Sequence, residues 1–596
     1  MTDNSILEPR KLYENQFKDK FKENAEEYFD NLVKESKINV DENRELVKKY
    51  KSCKNDENKV TEKMNSLKAW KTLCIVGIIL SLILAFVFFA VITSTGLKVA
   101  LIILCVALTI LFIVLLVNLN KKLKGVEDLV KKAKEKSSKA LNLCWASMNA
   151  LNQLYDWTIC QDIMEKTTPL IDLDPYFDPN KFEYMHEKYG FGDATNPNQS
   201  TNYVLSGNIN GNPFLMLNTF NTKMSTKTYS NSITIHWTTT SRDSKGNVQT
   251  HPHSEVLTAT VEKPAPIYYY DTRLVYTNDG APNLTFSRMP TVKDNLTDKD
   301  IDKMVKKGEV ELQKKTEKAV RQGGTFNAMA NTKFEVMFNA KNRDNETEFR
   351  LMFTPLAQQN MTDLLQNSPY HDDFAFYKDK YLNYIFSGHS QTQNYKIDPT
   401  EFAHYDIDQA KTQFLEITTN FFKGLYFDLA PLLSIPLYQQ TKTHEYIYNI
   451  PYEAYNTKYE QEVMANQLDL NKLKHPETKT EVILKTKFNS KDSDTDYLTV
   501  TAYSYKTIKH TDICSKLGGD GRIHNIPVDW YEYVPLEKES QMAMSKVETS
   551  RYKFNNSNEL INKLASQKTL AYERGLLSYI VSSNTTMKDI KDKINK

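Results

Sequence analysis

The sequence predicts an α+β protein in which N-terminal amphipathic helices and a two-helix transmembrane hairpin with a helical stalk precede a large soluble domain of mixed, antiparallel sheet. Three observations carry this. Two uncharged apolar runs lie close together near the N-terminus, helical periodicity extends on both sides of them, and from Thr167 onward the texture changes to short β-branched and aromatic runs punctuated by Pro, Asn, Gly and Asp.

Residues 1–70 form the first segment. Phe17, Phe21, Ala25, Tyr28 and Leu32 recur every three or four residues among Lys and Glu, and Val60, Met64 and Leu67 continue that period, so amphipathic helices are expected. The opening MTDNSILEPRKLYENQFKDKF is charged and has no apolar core of the kind a secretory signal needs.

Segment 71–120 is the hairpin. Its runs 73–92 and 99–117 contain no charged residue, and each has roughly the 20 residues that cross a hydrocarbon core of about 30 Å. Lys63, Lys68 and Lys71 precede the pair and Lys121, Lys122, Lys124, Lys131 and Lys132 follow it, whereas the short turn between the runs has only Lys98. The positive-inside rule then places both termini in the cytoplasm of a multi-pass cell-membrane protein. No ionisable group inside either run offers a proton relay or ion ligand, which argues against a transporter. Gly77, Ser81 and Ala85 share a face, where close packing or dimerisation is expected.

The stretch 121–166 reads as one long stalk helix to about Ile163, striped by Val126, Leu129, Val130, Ala133, Ala140, Cys144, Met148, Leu151 and Leu154. A hairpin brings its two ends together, so the stripes entering and leaving the membrane are expected to pair as an antiparallel stalk. Trp145 and Trp157 are expected in its core.

In the α+β region 167–440, strands are expected around the Asn210-Gly211 turn, and Ser232–Thr240 should pair with Glu255–Val261. Lys333–Phe338 and Glu348–Phe353 read as two strands. Thr354-Pro355 then starts a helix over 356–365, strands 374–377 and 381–386 follow, and a helix covers 407–427. Region 441–545 reads as a second β-rich unit, with strands at 480–487 and 497–505. Region 546–596 should be a closing helix over 558–580 and a frayed basic tail.

Composition narrows function only by exclusion. With 76 basic against 74 acidic residues, a net charge of +2, no cationic excess exists to release counterions, so nucleic acid is not expected as a partner. The six cysteines, Cys53, Cys74, Cys105, Cys144, Cys160 and Cys514, show no Cys-x-x-Cys spacing and suit a reducing compartment. No cofactor motif is present. His251-Pro-His253 with Glu255 places three metal-ligand types on alternate strand positions, facing one way, with His236 on the facing strand. Pro252 points instead to an edge or loop. Gly518-Gly519-Asp520-Gly521-Arg522 lacks the Gly-Lys-Ser/Thr ending of a phosphate loop and reads as a turn. Lys303–Arg321, capped by Thr297 and Asp300, reads as a helix with a solvated face.

The two-span hairpin, the strands around YVLSGNINGNPF, and TKFEVMFNAKNRDNETEFRLMFTPLAQQNMTDLL followed by FAFYKDKYLNYIFSGH together resemble bacterial two-span membrane proteins of the uncharacterised domain-of-unknown-function family thirty-one thirty-seven, in a mollicute-like member. The resemblance covers the hairpin and about 200–430, and the chain departs from it after about 440. It implies a membrane location and a mixed fold, and brings no activity or catalytic residue. The expected function is a membrane-anchored scaffold, adaptor or ligand-binding module with protein partners and room for a homo-oligomer. The alternatives are a membrane-bound metal-dependent hydrolase using His251, His253 and Glu255, or an accessory subunit of a transport or secretion complex.

Overall fold

The computed structural model describes residues 6–91, 95–174, 177, 179–192, 196–242, 246–291, 297–441, 457–547, 559–581 and 586–594. The chain divides into two compact units, one made of Glu26–Tyr155 with Pro399–Ile417 and the other of the remainder.

In the first unit, Val40–Val91 and Thr95–Asn152 are single unbroken helices of 52 and 58 residues that pack side by side. At 1.5 Å per residue each is roughly 80 Å long, so the apolar runs continue directly into the charged stretches. Both helices are long and apolar enough to cross a membrane, and only 11% and 6% of their most apolar windows are buried. The seam between them is small and polar. A Cβ on Gly77 would lie 2.8 Å from the Phe112 ring, and Ser81 Oγ lies 2.8 Å from Thr109 Oγ1. The small-residue face is thus taken up by the chain's own second run. Further along, Asn43 Nδ2 donates to Ser147 Oγ at 2.8 Å and to Tyr405 O at 3.0 Å, and Lys51 pairs with Asp406 at 3.0 Å.

Three helical expectations need correction. The stripe at 17–32 does not pair with the outgoing helix: Phe21 stacks on Phe422 with centroids 4.1 Å apart, and Phe29 meets Phe414 at 5.3 Å. The helix Ile407–Leu433 supplies these rings, and aromatic faces bury more area than the Ala and Val of the stalk. The outgoing helix stops at Asn152 instead of 163, and a new one starts at Ile159 after Asp156 Oδ1 accepts the Thr158 amide at 2.9 Å. Trp145 is exposed, with its ring edge-on to Tyr405, and Trp157 lies in the turn before Ile159, outside the long helix.

The second unit carries two antiparallel sheets. The larger contains β1 (Ile171–Leu173), β2 (Gln199–Ile209), β3 (Asn212–Arg242), β4 (Val248–Thr277), β5 (Thr285–Arg288), β6 (Phe374–Asp379) and β7 (Leu382–Ser387), in the order β1-β2-β3-β4-β7-β6-β5. The smaller contains β8 (Ile483–Asp492), β9 (Thr495–Leu517), β10 (Ile523–Lys546), β11 (Leu570–Glu573) and β12 (Leu576–Ile580), in the order β11-β12-β10-β9-β8. Gly207 is required where β1 pairs with β2, because a Cβ there would lie 2.4 Å from Asp172 O. The expected pairing of 232–240 with 255–261 forms, with Ser232 opposite Thr258 and Ile235 opposite Glu255. Part of its turn, 243–245, lies outside the described residues, as does the start of the second β-rich region, 442–456.

β3 and β4 run for 31 and 30 residues and β9 and β10 for 23 and 24, far beyond the usual strand of about 5–6 residues. A bare two-stranded ribbon is marginal in water because it has only one face to bury. Here the two ribbons cover each other: Tyr229, Ile235, Leu257 and Ala259 meet Ile526 and Val528, flanked by Trp237 and Trp530. Lys263 lies 4.2 Å from the centre of the Trp530 ring, whose Nε1 donates to Asp512 at 2.8 Å.

Lys333–Phe338 and Glu348–Phe353, expected as strands, are the helices Thr332–Phe338 and Glu346–Met352. Asn331 and Asn345 cap them by accepting the Phe334 and Glu348 amides at 3.1 Å, and Asn339 ends the first in the left-handed region. Phe334, Met337 and Phe338 satisfy a helical period while Phe334, Val336 and Phe338 fit a strand-like alternation, and packing on Phe286, Phe349 and Phe353 selects the helix. The helix Pro355–Asn367 follows its Thr354 cap as expected. The closing helix covers only Glu559–Ser566, because Arg574 and Gly575, both at positive φ, turn β11 into β12. The tail expected to fray is the helix Met587–Ile594, which buries Met587, Ile590 and Ile594.

Candidate functional site

A cluster of titratable side chains in the second unit forms where the turn after β7 meets the helix Ile407–Leu433. The His389 amide and Nδ1 both engage Asp372 Oδ2, at 2.7 and 2.9 Å. Its Nε2 lies 3.2 Å from Gly424 O and 3.4 Å from Asp428 Oδ1. Tyr395 donates its hydroxyl proton to Asp428 Oδ2, and Tyr370 stacks flat on the imidazole with centroids 4.1 Å apart.

Burial alone would push the His389 imidazole down, but Asp428 and the hydrogen-bonded Asp372 outweigh it and hold the group above its ordinary value. Burial likewise opposes ionisation of Asp372, yet His389 keeps that carboxyl below the usual range. Asp428, fully buried, is pushed up by desolvation despite His389 and Tyr395. The adjoining cavity, bordered by Asp372, Ser387, His389, Phe427 and Pro431, measures about 20 Å³, which is room for about one water. The cluster therefore ties the β7 turn to the helix electrostatically, beside a space no larger than a water.

Two buried ion pairs brace the neighbouring layer. Arg288 pairs with Asp373 at 2.6 Å and donates to Phe374 O. Arg343 reaches Glu335 at 2.5 Å and Glu346 at 2.7 Å. On β6, Lys378 Nζ donates to Gly280 O at 3.2 Å, and burial pushes its ammonium down to about 7. An open groove of about 450 Å³, bordered by Lys11, Asn331, Lys333, Gln359, Asp363 and Gln366, mixes both charge signs.

The histidines singled out by the sequence lie elsewhere. His251 and His253 alternate along β4 with Glu255, on one face as expected, but each has another partner. His251 Nε2 is 2.8 Å from Ser241 Oγ, and His253 Nε2 is 2.7 Å from Thr239 Oγ1 with its ring against Trp237. Glu255 accepts the Gly519 amide at 2.6 Å. His236 pairs with Ser254, on the opposite face by strand alternation, and Pro252 sits in regular register opposite Thr238. Among the described residues no group of three or more His, Cys, Asp or Glu is gathered where it could hold a metal ion. The Gly518–Arg522 segment is a hairpin turn, closed by Gly518 N to Arg522 O at 2.9 Å.

Sequence reasoning missed the His389 cluster. Asp372, His389 and Asp428 are brought together only by the fold, and the Asp372-Asp373 doublet before a strand is the one local hint. The chain matches no protein-family model, no curated protein and no solved structure.

Proposed function

We propose that this chain is an integral membrane protein held by the helical hairpin, with its α+β unit on the cytoplasmic side acting as a scaffold, adaptor or ligand-binding module. The observation that carries the reading is the bare apolar surface of the two helices. Ile79, Leu82, Phe86, Ile103, Ile110 and Val114 are all exposed to surroundings, far more than the few hundred Å² of apolar patch that a soluble monomer tolerates. Lipid is the solvent such surface needs. The lysine imbalance across the hairpin supports cytoplasmic ends.

The binding-module part is supported by the surface that the α+β unit offers to its surroundings, namely the open groove and the paired ribbons. Kinship to the two-span family belongs to the same proposal and adds no chemistry.

The test is alkaline extraction of membranes followed by protease treatment of sealed vesicles of both orientations. The protein should stay in the pellet, and the region beyond 170 should be cut only where the cytoplasmic face is outward. Release by alkali overturns the anchor, and digestion from the outer face of intact cells overturns the sidedness.

A further inference from the structure

We propose that the free edge of β3, residues 226–242, pairs antiparallel with the same edge of a second copy of this chain, with Thr234 opposite Thr234. β2 covers β3 only as far as Asn221. Beyond that point β4 is the one strand hydrogen-bonded to β3 among the described residues, and no turn or loop among them bonds to the backbone of 223–242. Half the main-chain groups of this long stretch therefore face outward, and such an edge is a template for another strand.

The prolines show which groups face outward. A ladder tolerates proline where its missing N–H would face the open edge. On β4, Pro252, Pro264 and Pro266 stand in regular register opposite Thr238, Thr226 and Met224, so the even-numbered residues of β3 are those whose main-chain groups turn away from the seam with β4. The Ser232 amide agrees, because it donates to the neighbouring Asn231 Oδ1 at 2.8 Å. The edge of β4 is thus blunted three times, and β10 carries Pro527 and Pro535. β9 beyond its last pairing with β8, at Tyr503, carries Lys506, Lys509 and Lys516. By contrast, 228–241 contains no Lys, Arg, Asp, Glu, Gly or Pro. Its inner face is braced by the β9–β10 ribbon, to which Asn231 Nδ2 donates at Pro527 O, 2.7 Å away. An edge held on a fixed support avoids an ordering cost on contact.

The strand's own sequence selects a second copy as the occupant. About Thr234 its chemistry is nearly the same in both directions. A two-fold axis there sets Ile233 against Ile235, Ser232 against His236, Ser230 against Thr238 and Thr228 against Thr240, which matches aliphatic with aliphatic and hydroxyl with hydroxyl. Each match joins residues of the same parity, so inner faces continue inner faces and outer faces continue outer ones. The even-numbered side chains from Thr228 to Thr240 are all exposed, and no buried side chain has to move. Within 226–242 Lys227 meets Ser241 and Arg242 meets Thr226, so no like charges stand opposite each other. Such a contact is isologous and closes at two copies, whereas β3 against the lysine-bearing edge of β9 would leave an open series of contacts.

The test is disulfide trapping of the full chain in mild detergent. Thr234→Cys should oxidise to a covalent dimer in at least several-fold higher yield than Thr258→Cys, which lies on the same outer face but on β4. Opposite residues of an antiparallel pair have Cα atoms about 4.5–5.5 Å apart, within disulfide reach. Two Thr258 sites would be at least three strand spacings of about 4.8 Å apart, beyond that reach. Ser232→Cys should not link to itself but should link to His236→Cys when the two proteins are mixed, which fixes the register. In sedimentation the native chain should dimerise with rising concentration. Thr234→Lys, which sets two ammonium groups against each other, should stay monomeric with its circular dichroism spectrum unchanged, since Thr234 is exposed. Equal trapping at 234 and 258, linkage of Ser232→Cys to itself in preference to His236→Cys, or a dimer that survives Thr234→Lys overturns the inference. So does a native chain that stays monomeric at every concentration with Thr234→Cys left untrapped.

Discussion

The helical hairpin and the paired ribbons solve the same problem in opposite directions. Each begins as two long antiparallel elements with too much apolar surface for water. In the helices, the seam is made of Gly77, Ser81, Thr109 and Phe112 while the leucines and isoleucines point outward. In the ribbons, Ile235, Leu257, Ile526 and Val528 point inward and the outer faces are largely polar. The difference shows how the backbone decides which solvent a hairpin requires. A helix satisfies its own hydrogen bonds and can present side chains to lipid all round. A two-stranded ribbon leaves its edges and faces open, and becomes stable when a second layer covers it.

The contrast is broken most directly by a charge in the helices. Ile83→Arg with Leu111→Arg should cost about 2.5–3.5 kcal/mol per site if those surfaces meet lipid, and should shift protein from the alkali-resistant pellet to the supernatant. Ordinary pelleting of that variant would mean that another protein, and no lipid, covers the helices.

On the ribbon side, Ile526→Ala should lower the unfolding free energy by about 2–4 kcal/mol, since it empties a fully buried contact between layers. Val256→Ala, on the exposed outer face, should change it by less than about 0.5 kcal/mol. Urea denaturation of the detergent-held chain separates the two. Equal effects would mean that the ribbons do not bury one face against each other.

Outside the two hairpins, two buried groups act near neutrality with opposite signs: Lys378, pushed down to about 7 by burial, makes the folded chain gain stability as pH rises beyond that value, whereas His389 makes it lose stability. The folded-state value of His389 is raised, and the stabilising contribution is therefore complete below its ordinary value near 6.5. As pH rises beyond that, the unfolded chain loses the proton first, and the contribution fades until the folded imidazole is neutral too. Asp372, held low, acts only on the acid side and in the opposite sense. The advantage in thermal midpoint of the native chain over His389→Gln should therefore shrink as pH rises above about 6.5. A difference that stays constant with pH would remove His389 from the account.

The smallest effect concerns the helical seam. Ser81→Ala removes the hydrogen bond to Thr109 and should weaken the helix pair by about 0.6 kcal/mol, measurable as a slight loss of resistance to detergent unfolding. A much larger loss would show that the seam depends on polar contacts more than on close packing.

Much of this architecture was legible in the linear chain because its signals are local. An unbroken apolar run, a Thr-Pro start at 354–355, the capping box of Thr297 and Asp300, and the alternation of 232–240 against 255–261 each read out within a few residues, and each element formed. The stalk was also visible as period, though it ends where Asp156 accepts the Thr158 amide in a turn before the next helix.

What the tertiary structure decided was every choice that a local pattern leaves double. Lys333–Phe338 has both periods, and the surrounding phenylalanines picked the helix. The stripe at 17–32 could pair with any apolar partner, and the aromatic face at 414–426 outweighed the stalk. His251, His253 and Glu255 shared a face as alternation requires, yet cross-strand hydroxyls engage Nε2 of each histidine and the Gly519 amide engages Glu255 Oε2. The His389 cluster joins residues up to 58 positions apart, Tyr370 to Asp428, through contacts that exist only when a sheet turn and a helix are packed together. Periodicity is a property of one segment, whereas the burial that shifts these groups is a property of two segments meeting.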